Sequence, residues 1–154
     1  MTVQPSKREQ ILQAFLALLE PVSRDIDPAP RLRRNGDQPE RMAVGDGGLV
    51  TLRDGAGEVA EYVIGAPEPY AWNYTPTLEL IVQDAEAEDR DPQLDQIAAK
   101  IGALVDTDRT LGGLCDWVEV GMPDASEVAV PDAAGLKGAI ITVTIAYSSA
   151  SPTG

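Results

Sequence analysis

An α+β fold is what this 154-residue sequence predicts: a mixed, mostly antiparallel β-sheet, two main helices packed on one of its faces, and a protruding β-hairpin. Three observations point to it. Apolar residues recur at three-to-four spacing in two separate stretches, the signature of amphipathic helices. Several other runs alternate apolar and polar side chains with period two, as half-buried strands do. Glycine and proline clusters punctuate these runs at the distances of turns and short loops. A chain of this length buries roughly 70% of its unfolded surface, enough for one core without metals or disulfides. One domain over residues 1–147 is therefore expected, followed at 148–154 by a small, polar tail that is flexible until something binds it.

The first helix starts at Ser6-Lys7-Arg8-Glu9, the S-x-x-E spacing of a capping box, in which hydroxyl and carboxylate each satisfy a free backbone N–H. Ile11, Leu12, Phe15, Leu16 and Leu19 form its apolar stripe, and Pro21 marks its end. Asp27-Pro28-Ala29-Pro30 is a stiff connector into a short strand at Arg31-Leu32-Arg33-Arg34, which runs into a turn at Asn35-Gly36-Asp37. With Arg41, four arginines crowd this neighbourhood. They fit a solvated edge strand whose charges block unwanted pairing, and equally a surface complementary to an acidic neighbouring copy of the chain.

Residues 49–53 and 58–64 flank Asp54-Gly55-Ala56-Gly57, the spacing of a hairpin with a four-residue loop. No phosphate-cradle spacing accompanies these glycines or those at Gly45-Asp46-Gly47-Gly48. Tyr70, Trp72 and Tyr74 lie between Pro69 and Pro76, a composition that suits a rigid connection. Packing under a loop is one role for these rings, and a subunit interface is the other. Leu78, Leu80 and Val82 alternate with Glu79, Ile81 and Gln83 in a strand. An acid-rich loop at 84–91 follows, without the spacing of a calcium loop.

Asp91-Pro92 reads as a cap and first helical position, opening a second helix with Leu94, Ile97, Ala98, Ile101, Leu104 and Val105 on one side. Gly102 interrupts it, which suggests close approach of another backbone. Gly112-Gly113, flanked by Leu111 and Leu114, suits a tight structural turn because glycine enters left-handed conformations that other residues avoid. A short strand at 116–120, an irregular acidic connection at 123–135 and a long strand at 137–147 complete the chain. In the last, Ile141, Val143, Ile145 and Tyr147 share the face expected under the helices.

The composition argues against catalysis. There is no histidine, and the single Cys115 sits beside Asp116, with no base to activate it as a nucleophile. Asp25 with Asp27 and Asp106 with Asp108 are carboxylate pairs in turns, where capping and solvation are the usual roles. No catalytic, metal-binding or cofactor-binding residue is assigned, and no cofactor is expected. The net charge of -13 is uneven: residues 1–53 hold 8 basic against 7 acidic side chains, and the remainder 4 against 18. Such a surface repels nucleic-acid phosphates, although it could line a passage through which DNA slides. No leader or membrane-spanning run is visible, so a protein made in the cytoplasm is expected.

The order of these features resembles that of tail-terminator, or tail-completion, proteins of long-tailed bacteriophages, also found in prophages and gene transfer agents. The resemblance covers nearly the whole chain: the N-terminal helix, Arg33-Arg34-Asn35, the hairpin, residues 78–83, the second helix, the run from Asp108 to Glu119, and the closing strand that ends in Tyr147. It implies a small α+β virion protein that assembles as a ring, typically of six copies, at the head-proximal end of the tail tube. Such a ring ends tube growth and offers a head-tail joining surface, so the implied partners are copies of itself, the major tail tube protein and head-tail connector or neck proteins. DNA passes through the lumen without specific binding, and no membrane is involved. Arg31, Arg33, Arg34, Arg41, Tyr70, Trp72 and Tyr74 are the candidate subunit or tube contacts. Three alternatives stay open from the sequence: a neck or head-completion connector, a small coenzyme A ester-binding enzyme, and a cellular module that binds a basic partner.

Overall fold

The computed structural model describes residues 3–37, 47–83, 87–125 and 136–154. Arg41, Gly45, Asp46, the acid-rich residues 84–86 and most of the 123–135 connection lie outside the described residues. The helices are α1 (Lys7–Leu18), α2 (Val22–Asp25) and α3 (Ala87–Thr107). The strands are β1 (Arg31–Arg34), β2 (Leu49–Tyr62), β3 (Tyr70–Gln83), β4 (Trp117–Val120) and β5 (Leu136–Ser149). Among the described residues these strands form one sheet in the order β1-β2-β3-β5-β4, with β1 parallel to β2 and every other pair antiparallel. The predicted α+β class, mixed and mostly antiparallel, is what the chain adopts.

Both main helices cover the same sheet face. Ile11, Leu12 and Phe15 of α1 join Ile97, Ile101 and Val105 of α3 over Val50, Leu52, Leu78, Leu80, Val118 and the β5 residues Ile141, Val143 and Ile145, all in one buried cluster. Alternation along each strand puts these side chains on a single side, and each fully buried aliphatic contributes roughly 1.5 to 3 kcal/mol. Leu49, Ile81 and Leu136 form a smaller buried group on the opposite face. No helix among the described residues is long and apolar enough to cross a membrane.

The hairpin is longer than the sequence suggests. Residues 54–57 do not turn; β2 runs straight through them, and the reversal lies at 63–69, where the Val63 N–H donates to the Pro69 carbonyl at 2.8 Å. Asp54-Gly55 is instead a β-bulge, seen as a register shift between Arg53↔Thr77 and Ala56↔Thr75. A Cβ on Gly55 would lie 1.9 Å from the Thr75 carbonyl oxygen, so the glycine serves close strand approach and not a reversal. Tyr70 to Pro76 is likewise strand and not connection. Pro76 is tolerated in this inner strand because it sits opposite the bulge, where the ladder already lacks a regular bond.

Smaller departures have equally local causes. Ser6 caps α1 by accepting from the Glu9 N–H at 3.1 Å, but the Glu9 carboxylate turns to Arg34 and Gln13 instead of closing the box. Helix α3 starts at Ala87 and carries Pro92 in its second turn, so the proline is not the first helical position and one i→i−4 bond of that turn is missing. Among the described residues nothing lies within 4 Å of a Cβ placed on Gly102, so the close backbone approach expected there is not seen. The closing strand reaches Ser149, two residues beyond the expected end, and the short helix α2 follows Pro21 without having been anticipated.

Two glycine substitutions should therefore have opposite signs. Gly55→Ala should lower the free energy of unfolding by on the order of 2 kcal/mol or more, because backbone must move to admit the methyl group. Gly102→Ala, in open space on a helix, should raise it by about 0.5 to 1 kcal/mol. Urea unfolding monitored by circular dichroism reads both.

Candidate functional site

The arginines of β1 do not share one surface. Adjacent residues of a strand point to opposite faces, so Leu32 and Arg34 lie on the helix side with Val50 and Leu52, while Arg31 and Arg33 lie on the other. Arg33 donates from Nε to the Thr51 hydroxyl at 2.9 Å and from Nη2 to the carbonyl of Asp37. Arg31 is exposed.

Arg34 is engaged inside the subunit. Its guanidinium reaches Glu9 of α1 at 2.5 and 2.8 Å, and Asp54 of the β2 bulge with two bonds of 2.9 Å. One side chain thus ties the first helix, the edge strand and the bulge together. The Asn35 side-chain oxygen accepts from the Asp54 N–H at 3.1 Å. Its hydrogen bonds to Glu9 and then Asp54 hold Arg34 above its ordinary pKa, and the Arg34 bonds hold Glu9 below the usual glutamate range.

Tyr70, Trp72 and Tyr74 are brought together. They alternate along β3 and so line one side of the distal sheet, the side on which α1 lies. The Tyr70 and Trp72 rings stack with centroids 6.0 Å apart, and Tyr62 meets Tyr70 edge-on at 5.1 Å. Tyr74 is buried, and its hydroxyl accepts from the Gly55 N–H at 2.9 Å. The Trp72 indole N–H donates to Ser149 Oγ at 2.8 Å, and Arg8 donates to the Thr153 carbonyl at 3.2 Å, so residues 149–154 lie against this strip. A cavity of about 250 Å³ remains between Arg8, Trp72, Tyr74, Tyr147 and Gly154, and burial raises the Tyr147 pKa. The arginines flank the proximal end of β2 and Tyr70 and Trp72 its distal end, and the two groups meet only at the bulge, where Arg34 binds Asp54 and Tyr74 the Gly55 N–H.

The Asp108–Glu119 run is built from left-handed backbone. Leu111, Gly112 and Gly113 have φ of 49°, 70° and 92° in succession. The Asp108 carboxylate accepts from the Gly112 N–H at 3.2 Å, and the Cys115 N–H bonds back to the Thr110 carbonyl at 3.1 Å. This folds Leu111 and Cys115 into the core. Burial first, then the charges of Asp116 and Asp108, push the Cys115 thiol up to about 11, which leaves it protonated and unreactive at neutral pH. Trp117, which sequence reasoning did not single out, emerges from this run half-exposed on the outer strand β4. A lone tryptophan among acids in a four-residue strand was the available signal.

No family model matches the chain, and no curated protein matches it. Among solved structures, the sheath/tube terminator of an extracellular contractile injection system, PVC, in its extended state, aligns with a TM-score of 0.45 at 15% identity. The alignment covers 99% of this chain and 61% of that one, so the chain spans about three fifths of its neighbour's length. A likeness of that degree does not by itself assign a function.

Two outcomes follow from this geometry. A carboxylate whose folded-state pKa is depressed stabilises the fold above its unfolded pKa and loses that contribution as pH falls through the folded value. Arg34→Met should therefore destabilise the protein at neutral pH by on the order of 1 kcal/mol or less, because the cluster is part-exposed and solvent-screened. The gap to wild type should close as pH drops below about 4, as urea unfolding at a series of pH values would read. Cys115 should resist alkylation in the folded protein at about pH 8 and react once urea exposes it, which mass spectrometry would record.

Proposed function

We propose that this chain is a tail terminator: a structural virion protein that forms a ring, of six copies, on the head-proximal end of a tail tube. The ring ends tube growth and presents a joining surface to the head's connector or neck proteins. The observation that carries this reading is the order of elements. Helix, arginine-bearing strand, long hairpin, second helix, glycine-turned run and closing strand follow one another in the folded chain as the sequence resemblance implies.

Charge supports the same reading. A ring built by head-to-tail contacts joins two different patches, so one can be basic and the other acidic without self-repulsion. Arg31 and Arg33 on edge strand β1 supply a basic patch, and Asp106, Asp108, Asp116 and Glu119, at and before the opposite edge strand β4, an acidic one. Arg41 is assigned to the basic patch on sequence grounds alone. Arg34 acts within the subunit by holding β1 and the bulge to α1. Tyr70 and Trp72 form the proposed tube-facing strip, with Tyr74 as its buried footing. Surplus carboxylates on the lumen keep passing DNA from adhering, since like charges repel. No bond is made or broken in this function, and it needs no cofactor. The site of action is the virion tail, after synthesis in the host cytoplasm.

The test is electron microscopy of particles produced without this protein. Overlong or headless tails are the expected outcome, and tails of normal length joined to heads would overturn the reading.

A further inference from the structure

The cavity of about 250 Å³ beside α1 and the distal strip is kept open by glycine. Gly57 lies within β2 without the positive φ that would call for a glycine. A Cβ there would meet Trp72 and Tyr74 at 3.5 Å, which is ordinary contact, so close approach does not demand a glycine either. Glycine weakens the interior of a strand, yet a larger side chain at this lining position would take up the space. At another wall, a Cβ on Gly154 would lie 2.9 Å from the Tyr147 hydroxyl.

The polar groups that line this space have donors to spare. Tyr74 and Tyr147 are each only 2% exposed. The Tyr74 oxygen accepts from the Gly55 N–H, but its own O–H, like that of Tyr147, donates to nothing among the described residues. Burial, opposed by the charge of Arg8 and reinforced by Tyr74, raises the Tyr147 pKa and so keeps its proton in place. Arg8 makes one bond, to the neutral Thr153 carbonyl, while its neighbour Glu9 is taken by Arg34. Other arginines are spent within the fold. Arg53 pairs with Glu79, and Arg109 donates to Asp106 at 2.5 Å and to the Val118 carbonyl at 2.7 Å, with its guanidinium 5.1 Å from the Trp117 ring centroid.

One guanidinium with two hydroxyl donors suits an anion of a single charge. The arginine fork matches a carboxylate, whereas a phosphate dianion calls for a second cation and is opposed by a net charge of -13. The rings of Trp72, Tyr74 and Tyr147 offer walls for an apolar body behind that carboxylate. We propose that this cavity binds a carboxylate carried on a small apolar body, with Arg8 as its counter-ion and Tyr74 and Tyr147 as hydrogen-bond donors. The site does not depend on the terminator reading.

Titration of the full chain with benzoate, followed by nuclear magnetic resonance at the Trp72 indole N–H, tests this. A saturable shift is expected, and neutral benzamide should bind at least tenfold more weakly. Gly57→Val fills the cavity with a residue that strands favour, and Tyr147→Phe removes one donor; circular dichroism melts matching wild type establish that both fold. Each should weaken benzoate binding by about tenfold or more. A parallel titration with N-acetylglutamate α-methylamide, which keeps only the side-chain carboxylate, distinguishes the sources: tighter benzoate binding marks a free acid, and tighter binding of the glutamate derivative an acidic side chain of a docked protein. No saturable shift, equal binding of benzamide, or unchanged binding in both folded variants overturns the proposal. Binding that appears only once residues 152–154 are removed gives the site to the chain's own tail and overturns it as well.

Discussion

The close passage of β2 over β3 at Gly55 and Thr75 is the constraint on which the rest of the molecule depends. Because no Cβ intervenes, the two strands approach within backbone contact and continue as a ribbon of two 14-residue strands where a turn would have cut both short. The bulge left over at Asp54 gives Arg34 its second carboxylate, and the Gly55 N–H finds the Tyr74 hydroxyl. Distal strip, internal clamp and long central strands are thus consequences of one missing methyl group.

What could be read from the sequence was whatever rests on a repeated pattern. The stripes of α1 and α3 and the alternation of Ile141, Val143, Ile145 and Tyr147 were legible because many side chains vote for the same face. Gly55 and Gly57 were misread because a glycine in a bulge and a glycine in a turn leave the same local mark, and only the partner strand distinguishes them. Pro69 and Pro76 obscured a strand whose period-two placement of Tyr70, Trp72 and Tyr74 was itself the correct signal. The four arginines read as one cluster because sequence proximity was weighed above strand alternation, which sends Arg33 and Arg34 to opposite faces. Trp117 was passed over because exposure and the hold of Arg109 exist only in the folded state.

The charge map makes physical sense as a property of surfaces and not of a reaction centre. An excess of carboxylates on a small protein opposes self-association unless basic groups are gathered where contact occurs. Here one arginine is consumed internally and two others stand at a sheet edge, while the thiol is buried beside acids that disfavour its anion. The arrangement is that of a building block whose selectivity comes from placing unlike patches at its two ends.

Arg109 has a mechanical consequence. Strand β4 meets β5 through only four residue pairs, Trp117↔Ala146 to Val120↔Val143, and a ribbon so short would peel away if tension were applied at one end. The guanidinium bonded both to the Val118 carbonyl and to Asp106 near the end of α3 pins the middle of that ribbon to a 21-residue helix. Tension applied at this rim is spread into the body of the subunit as shear, and the strand cannot be unzipped one pair at a time.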